Sequence, residues 1–145
     1  MSVEWNEKYV TNITEIDTQH QRLFFLLGEV EKLYESNKGN LTKFIPQISK
    51  TILDLEHYTI SHFLIEERVM EDSDYPDLEN HKLLHDKFTT KIQDSKQELI
   101  ELQKELDEEK LDEFLHKLIK FLGLWLTNHI LIKDMDYKPF VKRTL

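Results

Sequence analysis

Seven histidines stand among 145 residues. Five of them, His20, His62, His81, His85 and His129, fall on apolar seams of helical period, and Glu66 lies on the same kind of seam. A buried ionisable side chain is costly unless it is paired or bound to a metal. Several together, at ligand spacing, therefore point to a metal centre. His62 and Glu66 are four residues apart, as are His81 and His85, so each pair shares one helix face and can reach one site. Asp134 stands five residues beyond His129, about 140° off its face in a regular helix. It joins the cluster only if the helix ends or loosens after His129, which the polar run Lys133-Asp134-Met135-Asp136 permits. The chain has no cysteine, which removes disulfides, thiolate metal sites and thiol nucleophiles. Imidazole and carboxylate ligands suit iron, zinc, copper or manganese.

These side chains meet only if the elements beneath them are arranged in one way. The apolar period is near 3.5 and repeats in four blocks. The first runs Ile16, His20, Leu23, Leu27, Val30, Tyr34. The second runs from Leu41 through Ile45, Ile48, Ile52, Leu55, Thr59, His62 and Glu66 to Val69. The third runs His81, His85, Phe88, Ile92, Ser95, Leu99, Leu102, Leu106. The fourth runs Leu111, Leu115, Leu118, Leu122, Trp125, His129, Ile132. Breaks fall at 36–40 with Gly39, at 72–77 with Pro76, and at the charged stretch 107–110. Thr18 with Gln21 has the form of a capping box, Asp77 that of an N-cap, and Pro46 sits where a helix start tolerates proline. The spacing predicts helices over about 18–37, 41–71, 78–107 and 111–132, after an irregular arm over 1–17 anchored by Trp5. Loops this short join antiparallel neighbours. The expected fold is all-α, an antiparallel up-down-up-down four-helix bundle forming a single domain over 1–145.

In that topology the starts of odd helices and the ends of even ones share one end of the bundle. His20 opens the first helix, His62 and Glu66 close the second, His81 and His85 open the third, and His129 closes the fourth. At a rise of about 1.5 Å per residue, His20 lies roughly 26 Å and His62 about 32 Å from the first loop. His85 and His129 lie about 33 Å and 27 Å from the third loop. The levels agree within about one helical turn, so the groups converge. His57 and His116 fall off the seams and are read as peripheral. Glu113 and His116 fit a Glu-x-x-His spacing, but only once and at the far end.

A formal charge of −9 argues against a nucleic-acid partner. The N-terminus has no basic leader followed by an apolar run, and no stretch is long and apolar enough for a transmembrane helix. A cytoplasmic protein without a membrane partner is expected. Polar outer faces fit a monomer.

Four pieces of the chain, in order and with their internal spacing, resemble the hemerythrin family in its single-domain bacterial form. They are Ile16-Asp17-Thr18-Gln19-His20-Gln21-Arg22-Leu23; His62-Phe63-Leu64-Ile65-Glu66-Glu67 with Met70; His81-Lys82-Leu83-Leu84-His85; and Trp125-Leu126-Thr127-Asn128-His129 followed by Asp134. The resemblance extends from Trp5 to Phe140. It implies two iron ions joined by an oxo or hydroxo bridge. One would take His81, His85 and His129, the other His20 and His62, with Glu66 and Asp134 bridging both. On that count, five imidazoles, two bridging carboxylates and a bridging oxygen leave one of twelve coordination positions open, on the ion with two histidines.

An open position on a reduced iron pair is suited to reversible dioxygen binding, for storage, transport or delivery to an oxygen-consuming client enzyme. Leu23, Phe63, Trp125, Leu126 and Ile130 adjoin the ligands and form the expected O2 pocket, which would exclude water. Tyr137 and one of Asp17, Gln19 or Gln21 are candidates for hydrogen bonds near the site. A sensor of O2, NO or redox state, acting through a separate partner, is the alternative. So is slow reduction of peroxide or NO. Five histidines to two carboxylates disfavour oxygenase chemistry, and the expectation is a binding protein, not an enzyme.

Overall fold

The computed structural model describes residues 5–141, apart from the side chains of residues 131–133 and 135. Residues 1–4 of the expected arm and the side chain of Ile132 therefore lie outside the described residues. Four long helices follow one another: α1 (Thr14–Ser36), α2 (Ile45–Asp72), α3 (Leu78–Lys104) and α4 (Glu108–Asn128). No strand occurs among the described residues. Helix α1 packs on α2 and α4, and α3 packs on the same two. Short links between successive helices make neighbours antiparallel, as in an up-down-up-down bundle.

The seams become the core. Leu23, Leu27, Ile48, Ile52, Leu55, Phe88, Ile92, Leu99, Leu111, Leu115, Leu118 and Leu122 are buried in one continuous apolar cluster. Each such side chain contributes about 1.5–3 kcal/mol on leaving water. A separate small cluster of Ile13, Ile16, Val69, Met70 and Tyr137 closes the other side of the polar seam residues. The histidine layer thus lies between a long core and a short cap.

Local chemistry sets the ends. Helix α1 begins at Thr14, not Thr18, and its first residue follows Ile13, which offers no side-chain cap. The Asp17 carboxylate instead reaches back, accepting from the backbone N–H groups of Thr11 and Asn12 at 2.8 and 3.0 Å and from the Thr11 hydroxyl at 2.7 Å. Asn12 takes the left-handed conformation (φ 66°), which short polar side chains tolerate best. Thr18 therefore lies in the second turn of α1, inside the helix, and its capping-box pattern with Gln21 is fortuitous. The irregular arm is held by Trp5, whose ring packs against Tyr9, His20 and Phe24.

At the first loop Gly39 takes φ 85°, a conformation glycine adopts without strain. A 3-10 turn (Leu41–Phe44) precedes α2, and Pro46 sits in the first turn of α2, where its missing N–H costs nothing. Glu108, in the first turn of α4, accepts from the N–H groups of Leu41 and Thr42 at 2.8 and 3.0 Å and so ties the first loop to the third. Asp107 caps α4 through the N–H of Lys110. Asp77 precedes α3 without capping its backbone and accepts from the Asn80 side chain instead. Helix α3 ends at Lys104, so Leu106 leaves the seam and is 62% exposed. The pattern continued through Leu106, but the chain had already turned toward the Asp107 cap.

Candidate metal centre

All four helices deliver side chains to one level. His20 comes from the second turn of α1, His62 and Glu66 from the second half of α2, and His81 and His85 from the start of α3. His129 follows α4 directly and opens a π-helical turn, His129–Asp134. That wider turn answers the phase problem of Asp134. A π-helix bonds i to i+5, so a residue five along returns to the face that a regular helix would leave. The helix loosens rather than ends, and Asp134 points inward, fully buried.

Every one of these seven side chains is at most 5% exposed. They form two overlapping groups whose ligating atoms lie within 4.8 Å of one another: Glu66, His81, His85, His129 and Asp134, and then His20, His62, Glu66 and Asp134. Both carboxylates belong to both groups, and their oxygens divide between them. Glu66 Oε1 lies 3.1 Å from His81 Nε2 and 2.9 Å from His85 Nε2. Its Oε2 lies 3.4 Å from the Nε2 atoms of both His20 and His62. Asp134 Oδ1 lies 3.0 Å from His81 Nε2 and 2.9 Å from His129 Nε2, and Oδ2 lies 3.0 Å from His20 Nε2. The Nε2 atom of His129 is also 3.1 Å from those of His81 and His85. Three ring nitrogens crowd one point and two crowd another.

Protons alone leave this arrangement poorly satisfied. Both nitrogens of His20 and both oxygens of Asp134 are buried without a hydrogen bond, an uncommon state for native polar atoms. Burial opposes charge on His20, His81 and His129, but Asp134 and Glu66 outweigh it and raise each to about 9 from an ordinary 6.5. Burial prevails at His62 and lowers it. Glu66 and Asp134 are both held below the usual carboxylate range, because the surrounding histidines overcome their burial. Five imidazoles and two shared carboxylates fit a pair of divalent cations, with one three-histidine and one two-histidine position.

Several outer partners hold these side chains in place. The Nδ1 atom of His62 bonds Gln19 Oε1 at 2.6 Å, and that of His85 bonds Glu67 Oε2 at 2.7 Å. The Tyr137 hydroxyl donates to Glu66 Oε2 at 3.0 Å and is itself fully buried. Of the residues flanking His20, Gln19 therefore serves His62 on the neighbouring helix, Asp17 holds the arm, and Gln21 is exposed. Glu67 was not anticipated. Its only sequence signal is its place beside Glu66, one residue round the helix, toward the facing turn of α3.

The five expected pocket residues separate into two sets. Leu23, Trp125 and Leu126, with Leu27, Leu55, Thr59, Phe88 and Leu122, line a cavity of about 10 Å³, at the lower limit for a single water-sized molecule. Leu23 and Thr59 place it about one helical turn inward of His20 and His62. Phe63 instead stacks on His85, its ring 3.8 Å away and nearly parallel. Ile130 is buried in the main core, away from the cavity lining. Trp125 also stacks on His129 at 4.4 Å. His57 and His116 are exposed, and Glu113 pairs with Lys117 at 3.0 Å.

Comparison with known proteins agrees with this geometry. The family model described as the hemerythrin HHE cation binding domain matches residues 11–141. A bacteriohemerythrin of Clostridium acetobutylicum is 29% identical over 133 residues, 92% of this chain and 96% of its own length. A bacteriohemerythrin of Pseudomonas aeruginosa is 28% identical over 141 residues, 97% of this chain and 82% of its own. A hemerythrin-like protein of Naegleria gruberi is 28% identical over 134 residues, 92% of this chain and 89% of its own. With the family model covering all four helices and every side chain of the buried cluster, the chain belongs to the hemerythrin family.

Proposed function

We propose that this chain binds dioxygen reversibly at a non-haem di-iron centre, as a single hemerythrin-like domain. Family membership points to a di-iron oxygen-binding or sensing role. The observation that favours binding is the unequal pair of ligand groups sharing Glu66 and Asp134. His81, His85 and His129 would hold one ion, His20 and His62 the other, and the two carboxylates both. When bound, the iron pair would supply two electrons and one open coordination position. The residues around it supply enclosure. Leu23, Trp125 and Leu126 border an apolar space beside the two-histidine position, and Phe63 and Trp125 cover His85 and His129. Such a wall limits access of water and protons, which supports release of the bound gas unchanged.

The reading excludes enzymatic turnover as the main role. It has the chain act in the cytoplasm as a monomer, for storage or for delivery to an oxygen-consuming client; no described helix is long and apolar enough to cross a membrane. The test is optical. The iron-loaded, reduced protein should be colourless, gain a charge-transfer band in air and lose it again under argon. A colour change that does not reverse, or consumption of peroxide or NO over many turnovers, would replace binding with redox catalysis.

A further inference from the structure

The hydrogen bonds that surround the ligands differ between the two positions. His85, in the three-histidine group, bonds through Nδ1 to the carboxylate of Glu67 at 2.7 Å. His62, in the two-histidine group, bonds through Nδ1 to the neutral amide oxygen of Gln19 at 2.6 Å. His20, also in that group, has no hydrogen-bond partner on Nδ1. The Tyr137 hydroxyl donates to Glu66 Oε2, the oxygen that faces His20 and His62, and not to Oε1. A ring N–H donated to an anion makes the opposite nitrogen a stronger donor than one donated to an amide. A hydroxyl bonded to a carboxylate oxygen withdraws electron density from it. All of these contacts act in the same sense.

We propose that Glu67, Gln19 and Tyr137 are positioning residues that rank the two ion positions, making the three-histidine position the stronger electron donor and the two-histidine position the weaker. The inference rests on the two-ion reading of the site. Each of these three residues touches a ligand and none is itself in the ligand set. In both bonded histidines the outer contact also fixes the tautomer, with Nδ1 carrying the proton and Nε2 facing the cluster. The weaker position is the one beside the apolar cavity at Leu23 and Thr59. There, a poorer donor set leaves the ion more prone to accept a further ligand.

Zinc titration of the metal-free full chain tests this without oxygen or iron. Calorimetry follows affinity, and histidine 15N NMR follows which rings bind. The wild type should take two Zn²⁺ in separate steps, with His81, His85 and His129 shifting first. Glu67→Gln should weaken the first step by about 10–100-fold, the usual cost of losing such a partner, and leave the second unchanged. Gln19→Glu should tighten the second step, a gain that misfolding cannot produce, and the double variant should narrow or invert the order. Tyr137→Phe should tighten the second step as well. Two ions bound with steps that neither Glu67→Gln nor Gln19→Glu moves apart or together would overturn the ranking alone. Fewer than two ions in the wild type would remove the two-ion reading and the ranking with it.

Discussion

His129 closes the three-histidine group, because it alone of the three comes from beyond α4 and it touches His81, His85 and Asp134. In His129→Ala, stable loading at that position should be lost. His57→Ala and His116→Ala, both at exposed sites, should retain two irons per chain. Metal analysis of the purified variants decides between these outcomes, and the reverse result would break the link between seam position and ligation. Enclosure is tested at Leu126, which is 8% exposed and lines the apolar cavity. Leu126→Tyr or Leu126→Asp should shorten the life of the oxygenated form, and unchanged autoxidation kinetics would detach the cavity from the chemistry. Protons give a third check. In the chelator-treated protein His20, His81 and His129 are raised to about 9 from 6.5, so they bind protons more tightly folded than unfolded. Their contribution is fully present below pH 6.5 and is lost as pH rises through about 9. The urea midpoint of the metal-free protein should fall across that window. The convergence of the five seam histidines and Glu66 was readable because a charged or polar residue on an apolar seam breaks the pattern. Gln19 and Glu67 were not readable as partners of His62 and His85, since those contacts cross between helices and leave no periodic mark.

Among the elements, the π-helical turn His129–Asp134 departs from regular α-helical geometry. The five-residue spacing already required the helix to end or loosen there, but spacing alone could not choose between them. The choice follows from what the next residues must reach: Asp134 turns into the cluster, and Tyr137, three residues on, reaches Glu66. A wide turn is a poorer packing of backbone than an α-turn, so its persistence depends on what it holds. Removing metal should therefore speed amide hydrogen exchange over 129–140 more than in the body of α1, α2 or α3. Equal protection with and without metal would show that the turn stands on its own packing. The helix ends show a similar division. Pro46 and Gly39 act where their chemistry placed them, and four helices followed from the seams, but Asp107, expected within a break over 107–110, caps an α4 that already begins at Glu108. The start of α1 lies four residues earlier than expected because Asp17 acts backward on Thr11 and Asn12, a contact outside the Thr18 and Gln21 spacing of a capping box.

For the molecule as a whole, the layer of buried histidines and carboxylates separates a long apolar core from the small cluster of Ile13, Ile16, Val69, Met70 and Tyr137. A ligand that binds only the folded state adds about 2.7 kcal/mol at a free concentration of a hundred times its Kd. For a chain of this length that raises the melting temperature by roughly 5–10 °C. A melting temperature indifferent to chelation would mean that the buried cluster holds no ion worth the name. The division of the interior also bears on how ions arrive. Passage through the long core would require a whole bundle to separate, whereas only five buried side chains form the cluster on the opposite side. If ions bind in the layer, fraying of that cap is the shorter route for loading. Its speed should climb with metal concentration only until every opening is productive, and level off at the rate at which the cap breathes. The maturation of such a protein would then be timed by its own local unfolding, not by the abundance of iron.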